Sequence, residues 1–205
     1  LAVQSSFGKR TGAATINEFD DASLERVVRR SEELARLAPE NPEWVPLVGA
    51  QKYKDTPTFV EATAKVTPEQ RASAADSSIT PSKKNDLVAA GFLEDSESFV
   101  AIMNRKGLFA YNSATDCSFT ATIRTADGTG SGWVSRDYND VRKLDTAAAS
   151  DVSIRKSLGS PDANAMEPGR YTVILEHSAS STMLANMVGS MQQRAAYERR
   201  IYLSS

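Results

Sequence analysis

The chain has 205 residues, 24 Lys and Arg against 26 Asp and Glu, one His and one Cys. One His and one Cys cannot build a His/Cys zinc site or an intrachain disulfide framework within a single chain. The formal charge of -2 leaves no basic surplus for general binding to nucleic acid phosphates.

Hydrophobic residues at 40% and charged residues at 24% suit a soluble globular protein of mixed structure. No apolar run reaches the ~20 residues of a membrane-spanning helix. No signal-peptide pattern is visible, so the expected location is the cytoplasm. Leu1-Ala2-Val3 reads as the tail of a strand and Ile201-Tyr202-Leu203 as the beginning of another. Strands need neighbours for their backbone groups, and the expectation is a segment of a longer protein.

Gly8-Lys9-Arg10-Thr11-Gly12 reads as a turn between short strands, the second being Ala13 to Ile16. Asp20 or Asp21 caps a helix whose stripe is Leu24, Val27, Val28, Leu34, Ala35 and Ala38, stopped by Pro39. Residues 39–58 hold four prolines around Trp44 and Tyr53. They predict an extended connector, with Trp44 pinning it to a surface. Thr67-Pro68-Glu69-Gln70 has the cap, first-position proline and closing Gln of a helix start. That helix is expected to run to about Ser78. A second short one follows from Pro81 through Leu87 to Ala90, closed by Gly91.

The period then changes. Phe99, Ala101 and Met103 alternate on one strand, Asn104-Arg105-Lys106-Gly107 turns, and Leu108 to Ser113 returns. Cys117, Phe119, Ala121 and Ile123 alternate with polar residues as a half-buried strand. Asp127-Gly128 turns into Gly132 to Ser135. The expectation is an antiparallel meander of four strands. Residues 143–158 predict a helix, 160–169 a loop, Tyr171 to Leu175 a short buried strand, and 180–198 a last helix. Leu184, Met187, Val188 and Met191 share one side of that last helix.

His177 follows Glu176 at the expected strand end. A structural or surface His is the ordinary reading, and a catalytic base or ligand the alternative. Cys117 reads as a small buried residue rather than a nucleophile, which would need an activating base. Gly128-Thr129-Gly130-Ser131-Gly132 lies between two strands, without the helix that a phosphate cradle needs, and reads as a flexible hairpin. Glu94, Asp95 and Glu97 read as a solvated loop before the meander.

Pro168 to Leu175 followed by Met183-Leu184 resembles the TldD/PmbA family, once called modulator of DNA gyrase and classed with metallopeptidases. Gly8 to Asn17, Asn104 to Leu108 with Thr115, and Arg200 to Leu203 are similar to further family segments, in the same order. The resemblance implies an α+β fold: mixed helices with an antiparallel meander, part of a larger bilobal, dimeric protein. It implies residues 1–55 as the remnant of an N-terminal domain, 56–165 as a middle domain and 166–205 as the start of a third.

Peptidase-type members carry a His-Glu-x-x-x-His helix, whose two His hold zinc and whose Glu activates water. The resemblance sets Ala185 at the first His, Asn186 at the Glu and Ser190 at the second His, after Val188-Gly189, which still match. A further zinc ligand lies in the C-terminal part of active subunits. The implied protein is of the PmbA/TldE-like branch: no catalytic or metal-binding residue of its own, no cofactor in this chain, and zinc in a TldD-like partner subunit. Peptide would be the substrate, with no direct nucleic acid and no membrane. A homodimer is the other assembly. A regulatory or binding module of the gyrase-modulator type is the alternative function, and a hydrolase using His177 a third.

Overall fold

The computed structural model describes residues 1–189 and 191–200. The chain divides into two units, Leu1–Lys52 with Ile102–Phe109, and Tyr53–Ala101 with the chain from Ala110 onward. Among the described residues it is an α+β structure with antiparallel pairing.

In the first unit, β1 (Ala2–Phe7) and β2 (Arg10–Thr15) pair antiparallel from Phe7↔Arg10 to Ala2↔Thr15. The intervening turn needs a positive φ, which Gly8 supplies at +61°. Helix α1 (Asp21–Leu37) starts where Asp20 accepts a 3.0 Å bond from the Ser23 amide, and it ends before Pro39. Its buried line is Ser23, Val27, Ser31 and Ala35, set against both strands. Gly12 makes that approach possible. A Cβ there would lie 2.2 Å from the Ala35 nitrogen and 2.5 Å from the Ser31 oxygen. Residues 39–58 carry no helix or strand, and Trp44 is half-buried.

In the second unit, α2 (Glu61–Ala64) precedes α3 (Pro68–Lys84). The capping box forms as the sequence predicts: the Thr67 hydroxyl accepts from the Gln70 amide, and the Gln70 side chain accepts from the Thr67 amide at 2.8 Å. The expected break between Ser78 and Pro81 does not occur, and α3 passes through Pro81. Tertiary packing outweighs the lost amide. Ser78 and Ser82 are buried, and Ser78 is hydrogen-bonded to Ser150 of a later helix. The chain turns at Asp86 (φ +54°) and enters β3 (Leu87–Met103) at once. Residues 87–91 are therefore strand rather than helix. Gly91 is a close-approach residue within it: a Cβ would meet the Thr120 oxygen at 2.5 Å.

Strands β3, β4 (Phe109–Thr125) and β5 (Ser131–Tyr138) form a three-stranded sheet in that order. The pairing of β4 with β5 runs from Cys117↔Tyr138 to Arg124↔Ser131. The four-stranded meander is thus corrected to three, because the two central segments are halves of β4. The expected gap between Ser113 and Cys117 is continuous strand, and polar Asn112, Ser113, Thr115 and Asp116 lie along it. Their groups are used instead by the incoming chain. The Thr115 amide donates to the Thr58 oxygen at 3.1 Å, the Thr58 hydroxyl to the Ser113 oxygen at 2.8 Å, and the Val60 amide to the Thr115 hydroxyl at 2.9 Å.

A 3-10 turn (Val141–Lys143) leads to α4 (Thr146–Gly159), capped by Asp145. Helix α4 packs on β5 and α3. Its Ala149 and Val152 join Phe119, Ala121, Val134, Leu93 and Leu144 in one apolar cluster, and Ile154 joins Leu87 and Ile123 in the next. Last come α5 (His177–Gly189) and α6 (Gln193–Tyr197).

Candidate functional site

The segment before α5 is not a buried strand. Tyr171, Val173, Ile174 and Leu175 have no strand pairing, and Ile174 is 100% exposed. An isolated apolar run forms a ladder only against a partner strand, and the described residues offer it none. Helix α5 starts at His177, three residues earlier than predicted, with its first bond from the Ser180 amide to the Glu176 oxygen at 2.9 Å. The expected single helix over 180–198 is two, with α6 beginning at Gln193.

The residues at the head of α5 are tied to the sheet and to α4. The Lys156 ammonium pairs with Glu176 and also donates to the Trp133 oxygen at 3.3 Å. The hydrogen bond from Lys156 to Glu176 holds that carboxyl below the usual carboxylate range. The Arg136 guanidinium lies 3.4 Å from His177 Nε2 and donates to the Ser135 oxygen at 2.7 Å. A guanidinium only donates, so Nε2 is the acceptor in this contact. A general base of the triad type also needs a group orienting its other nitrogen, and no described residue bonds Nδ1. The contact with Arg136 places His177 beside β5 at the start of α5.

Ala185 and Asn186 both lie on α5, and both are exposed. The Asn186 side-chain amide donates to the Thr182 oxygen one turn back, at 3.0 Å. Ser190 lies outside the described residues, as do Ile201 to Leu203. On the same helix Met183, Leu184, Met187 and Val188 are 40–62% exposed. Among the described residues no three His, Cys, Asp or Glu come together as metal ligands.

The other sequence-selected residues fall elsewhere. Cys117 is buried in β4, where its thiol donates to the Tyr138 oxygen at 3.2 Å. Burial, aided by the nearby Asp116 charge, pushes the thiol pKa up, the wrong direction for a nucleophile. Glu94, Asp95 and Glu97 are in β3, not in a loop. Asp95 accepts from both Arg71 Nε (2.5 Å) and Nη2 (2.8 Å). This fork lowers its pKa. The glycine-rich turn is a hairpin, as expected, but Gly130 and Gly132 do more than bend. A Cβ on them would meet the Ser157 oxygen at 2.3 Å and the Ser153 oxygen at 2.0 Å.

One surface feature escaped the sequence reading. Tyr53, Pro57, Phe59, Tyr111 and Asn112 line an open groove of about 500 Å³. The Asn112 side-chain Oδ1 accepts from the Thr58 and Thr56 hydroxyls at 3.3 and 3.5 Å. The two segments, 53–59 and 111–112, stand more than fifty residues apart in sequence, and no short motif links them.

Comparison with known proteins fits this architecture. Residues 57–159 match the family described as PmbA/TldA metallopeptidase central domain. No curated protein sequence matches the chain. Among solved structures, a proposed modulator of DNA gyrase from Bacteroides thetaiotaomicron superposes with TM-score 0.80 at 15% identity, over 98% of this chain and 48% of its own. A second such protein, from Thermotoga maritima, gives 0.72 at 13%, over 82% and 39%. TldE from Thermococcus kodakarensis gives 0.63 at 17%, over 76% and 36%. The chain thus spans less than half the length of each of these three structures. Among the described residues no helix is long and apolar enough to cross a membrane. With the central-domain match covering half of its residues, the chain belongs to the PmbA/TldD metallopeptidase family.

Proposed function

We propose that the chain is a TldE-like, non-catalytic part of a heteromeric peptidase, pairing with a zinc-bearing TldD-like subunit and shaping the chamber that receives extended peptide. The observation that carries the reading is the chemistry of α5. Where the family pattern has His and Glu, Ala185 offers only a methyl group. Asn186 directs its amide nitrogen to the Thr182 oxygen and has no carboxylate to act as a base. Zinc takes Cys, His or carboxylate ligands, so the described residues of α5 do not fit it. A serine at position 190 is a poor ligand in turn. No step of metal chemistry is assigned to this chain. The reading carries with it cytoplasmic location and no direct contact with nucleic acid, in keeping with the charge of -2.

The test is metal analysis of the purified protein, with peptidase assays of the chain alone and mixed with a TldD-type partner. Activity only in the mixture, with no zinc bound by this chain alone, is expected. Stoichiometric zinc on the isolated chain overturns the proposal. The second reading is a regulatory binding module. Its support is the gyrase-modulator description borne by two of the similar structures. Pull-down of gyrase, with no zinc-bearing partner recovered, would favour it.

A further inference from the structure

The Asp127-Gly128 turn is a motif that the proposed function does not use. It is the one Asp-Gly pair of the chain, and no Asn-Gly pair occurs. The hairpin between β4 and β5 needs a residue with positive φ, and Gly128 supplies it at +76°. Glycine also has no Cβ to crowd its own amide nitrogen. An uncrowded nitrogen directly after an aspartate can attack that side chain and close a five-membered succinimide.

In that step the Gly128 nitrogen bonds to Asp127 Cγ, and the amide hydrogen leaves with the carboxylic OH as water. Water then opens the ring. Addition at Cγ restores aspartate. Addition at the Asp127 backbone carbonyl breaks its bond to the Gly128 nitrogen and leaves isoaspartate. One water is lost and one is gained, and no oxidant or co-reactant enters.

The fold occupies both reacting groups. The Gly128 amide donates to the Thr125 oxygen at 2.9 Å. Asp127 Oδ1 accepts from the Thr129 amide at 3.1 Å and from the Thr129 hydroxyl at 2.9 Å. Hydrogen bonds from the Thr125 side chain and from Thr129 hold the carboxyl below its usual range, so the protonated acid that cyclises is scarce. The consequence of rearrangement is equally local. Isoaspartate adds a backbone atom to a loop closed by the Thr125 amide on the Gly130 oxygen at 3.0 Å and the Gly130 amide on the Thr125 hydroxyl at 2.8 Å. Gly130 is also where α4 comes down, since a Cβ on it would meet the Ser157 oxygen at 2.3 Å. All of these groups lie within the matched central domain.

We propose that Asp127-Gly128 is a covalent modification site: the closed hairpin holds it as aspartate, opening of the hairpin lets it rearrange to isoaspartate, and the lengthened turn no longer seats α4. The product is a substrate for enzymes that methylate isoaspartyl carboxylates with S-adenosylmethionine. This holds whether or not the chain serves a peptidase.

The experiment incubates the chain at neutral pH, native or in guanidinium chloride. The tryptic peptide 125–136 is then resolved into aspartyl and isoaspartyl forms by chromatography and mass spectrometry. Isoaspartate should form about tenfold faster in denaturant, where the hydrogen bonds on both reacting groups are lost. Thr129→Val, which removes one donor to the carboxylate, should raise the native rate about fivefold. Gly128→Ala should slow the reaction in denaturant, because the methyl crowds the attacking nitrogen. After return to native buffer, isoaspartyl chains should collect in the misfolded fraction on size-exclusion chromatography. Equal rates in native and denatured chains, or isoaspartate at other aspartates but not at 127, overturn the proposal. So does isoaspartate spread evenly over folded and misfolded fractions. Should Thr129→Val fail to fold, the native and denatured rates of the unaltered chain decide.

Discussion

Helices α4 and α5 are of similar length, 14 and 13 residues, yet they lie at opposite extremes of burial. Helix α4 buries Thr146, Ala149, Ser150, Ser153, Ile154 and Ser157, while α5 buries no residue. The larger apolar side chains are on α5. What decides burial is the facing surface. Glycines 130 and 132 remove two Cβ atoms from the ground under α4, so its backbone comes down onto β5. The serines then fill the contact, with the Ser153 hydroxyl donating to the Gly132 oxygen at 2.7 Å. At the head of α5, Glu176 pairs with Lys156 and His177 contacts Arg136.

The largest expected effect breaks the close approach. In Gly132→Ala the new methyl would sit 2.0 Å from the Ser153 oxygen and 2.7 Å from Lys156 Cβ, so α4 must lift from the sheet. A loss of about 3 kcal/mol is expected in urea unfolding, the upper end for overpacking. A loss under about 0.5 kcal/mol would mean that α4 is not seated as described. Ile123→Ala removes a side chain with 0% exposure beneath Ile154. It should cost a further-reaching but similar ~3 kcal/mol through transfer and cavity terms.

The Arg71–Asp95 fork is the next smaller lever. Asp95→Asn keeps the shape but removes the charge. A loss of about 1 kcal/mol is expected, because Arg71 is 42% exposed and partly screened. The pH dependence has a definite sign. Asp95 has a folded pKa below its unfolded value, so its contribution is full above the unfolded pKa of about 3.9 and fades as pH falls through the folded one. Unfolding curves of the native chain and the Asn variant should converge on acidification. Curves that stay parallel down to the acid limit would remove Asp95 as the source.

Much of this was legible from sequence where one local rule acts alone. The Asp20 cap, the Thr67–Gln70 box, the Pro39 stop and the hairpin at Gly8 all follow from backbone chemistry within a few residues. The face of α1 was only half legible. The apolar stripe finds Val27 and Ala35 but not the buried Ser23 and Ser31, and it is at Ser31 that Gly12 brings the helix close. Ser31 satisfies itself by donating to the Val28 oxygen at 2.8 Å, so hydropathy carries no sign of its burial. The run through Pro81 and the continuity of β4 were hidden for a related reason. Each depends on partners far along the chain, Ser150 for α3 and Thr58 for β4. At the candidate site, the positions of Ala185 and Asn186 came from family resemblance. The links from Arg136 and Lys156 to the head of α5 had no local signal at all.

The smallest expected effects sharpen the contrast from the other side. Leu184 is 57% exposed, and a Cβ added at Gly189 would meet nothing within 4 Å. Leu184→Ala forfeits little burial, and Gly189→Ala gains helix propensity at no steric cost. Both should fall within about 0.5 kcal/mol of the parent in the unfolding assay that registers Gly132→Ala. The pair also separates two meanings of an exposed apolar helix. If Leu184→Ala leaves the stability of the chain unchanged but weakens co-purification of a TldD-type partner, the leucine serves association. If it destabilises the chain alone by more than 1 kcal/mol, α5 is covered from within, and its difference from α4 disappears.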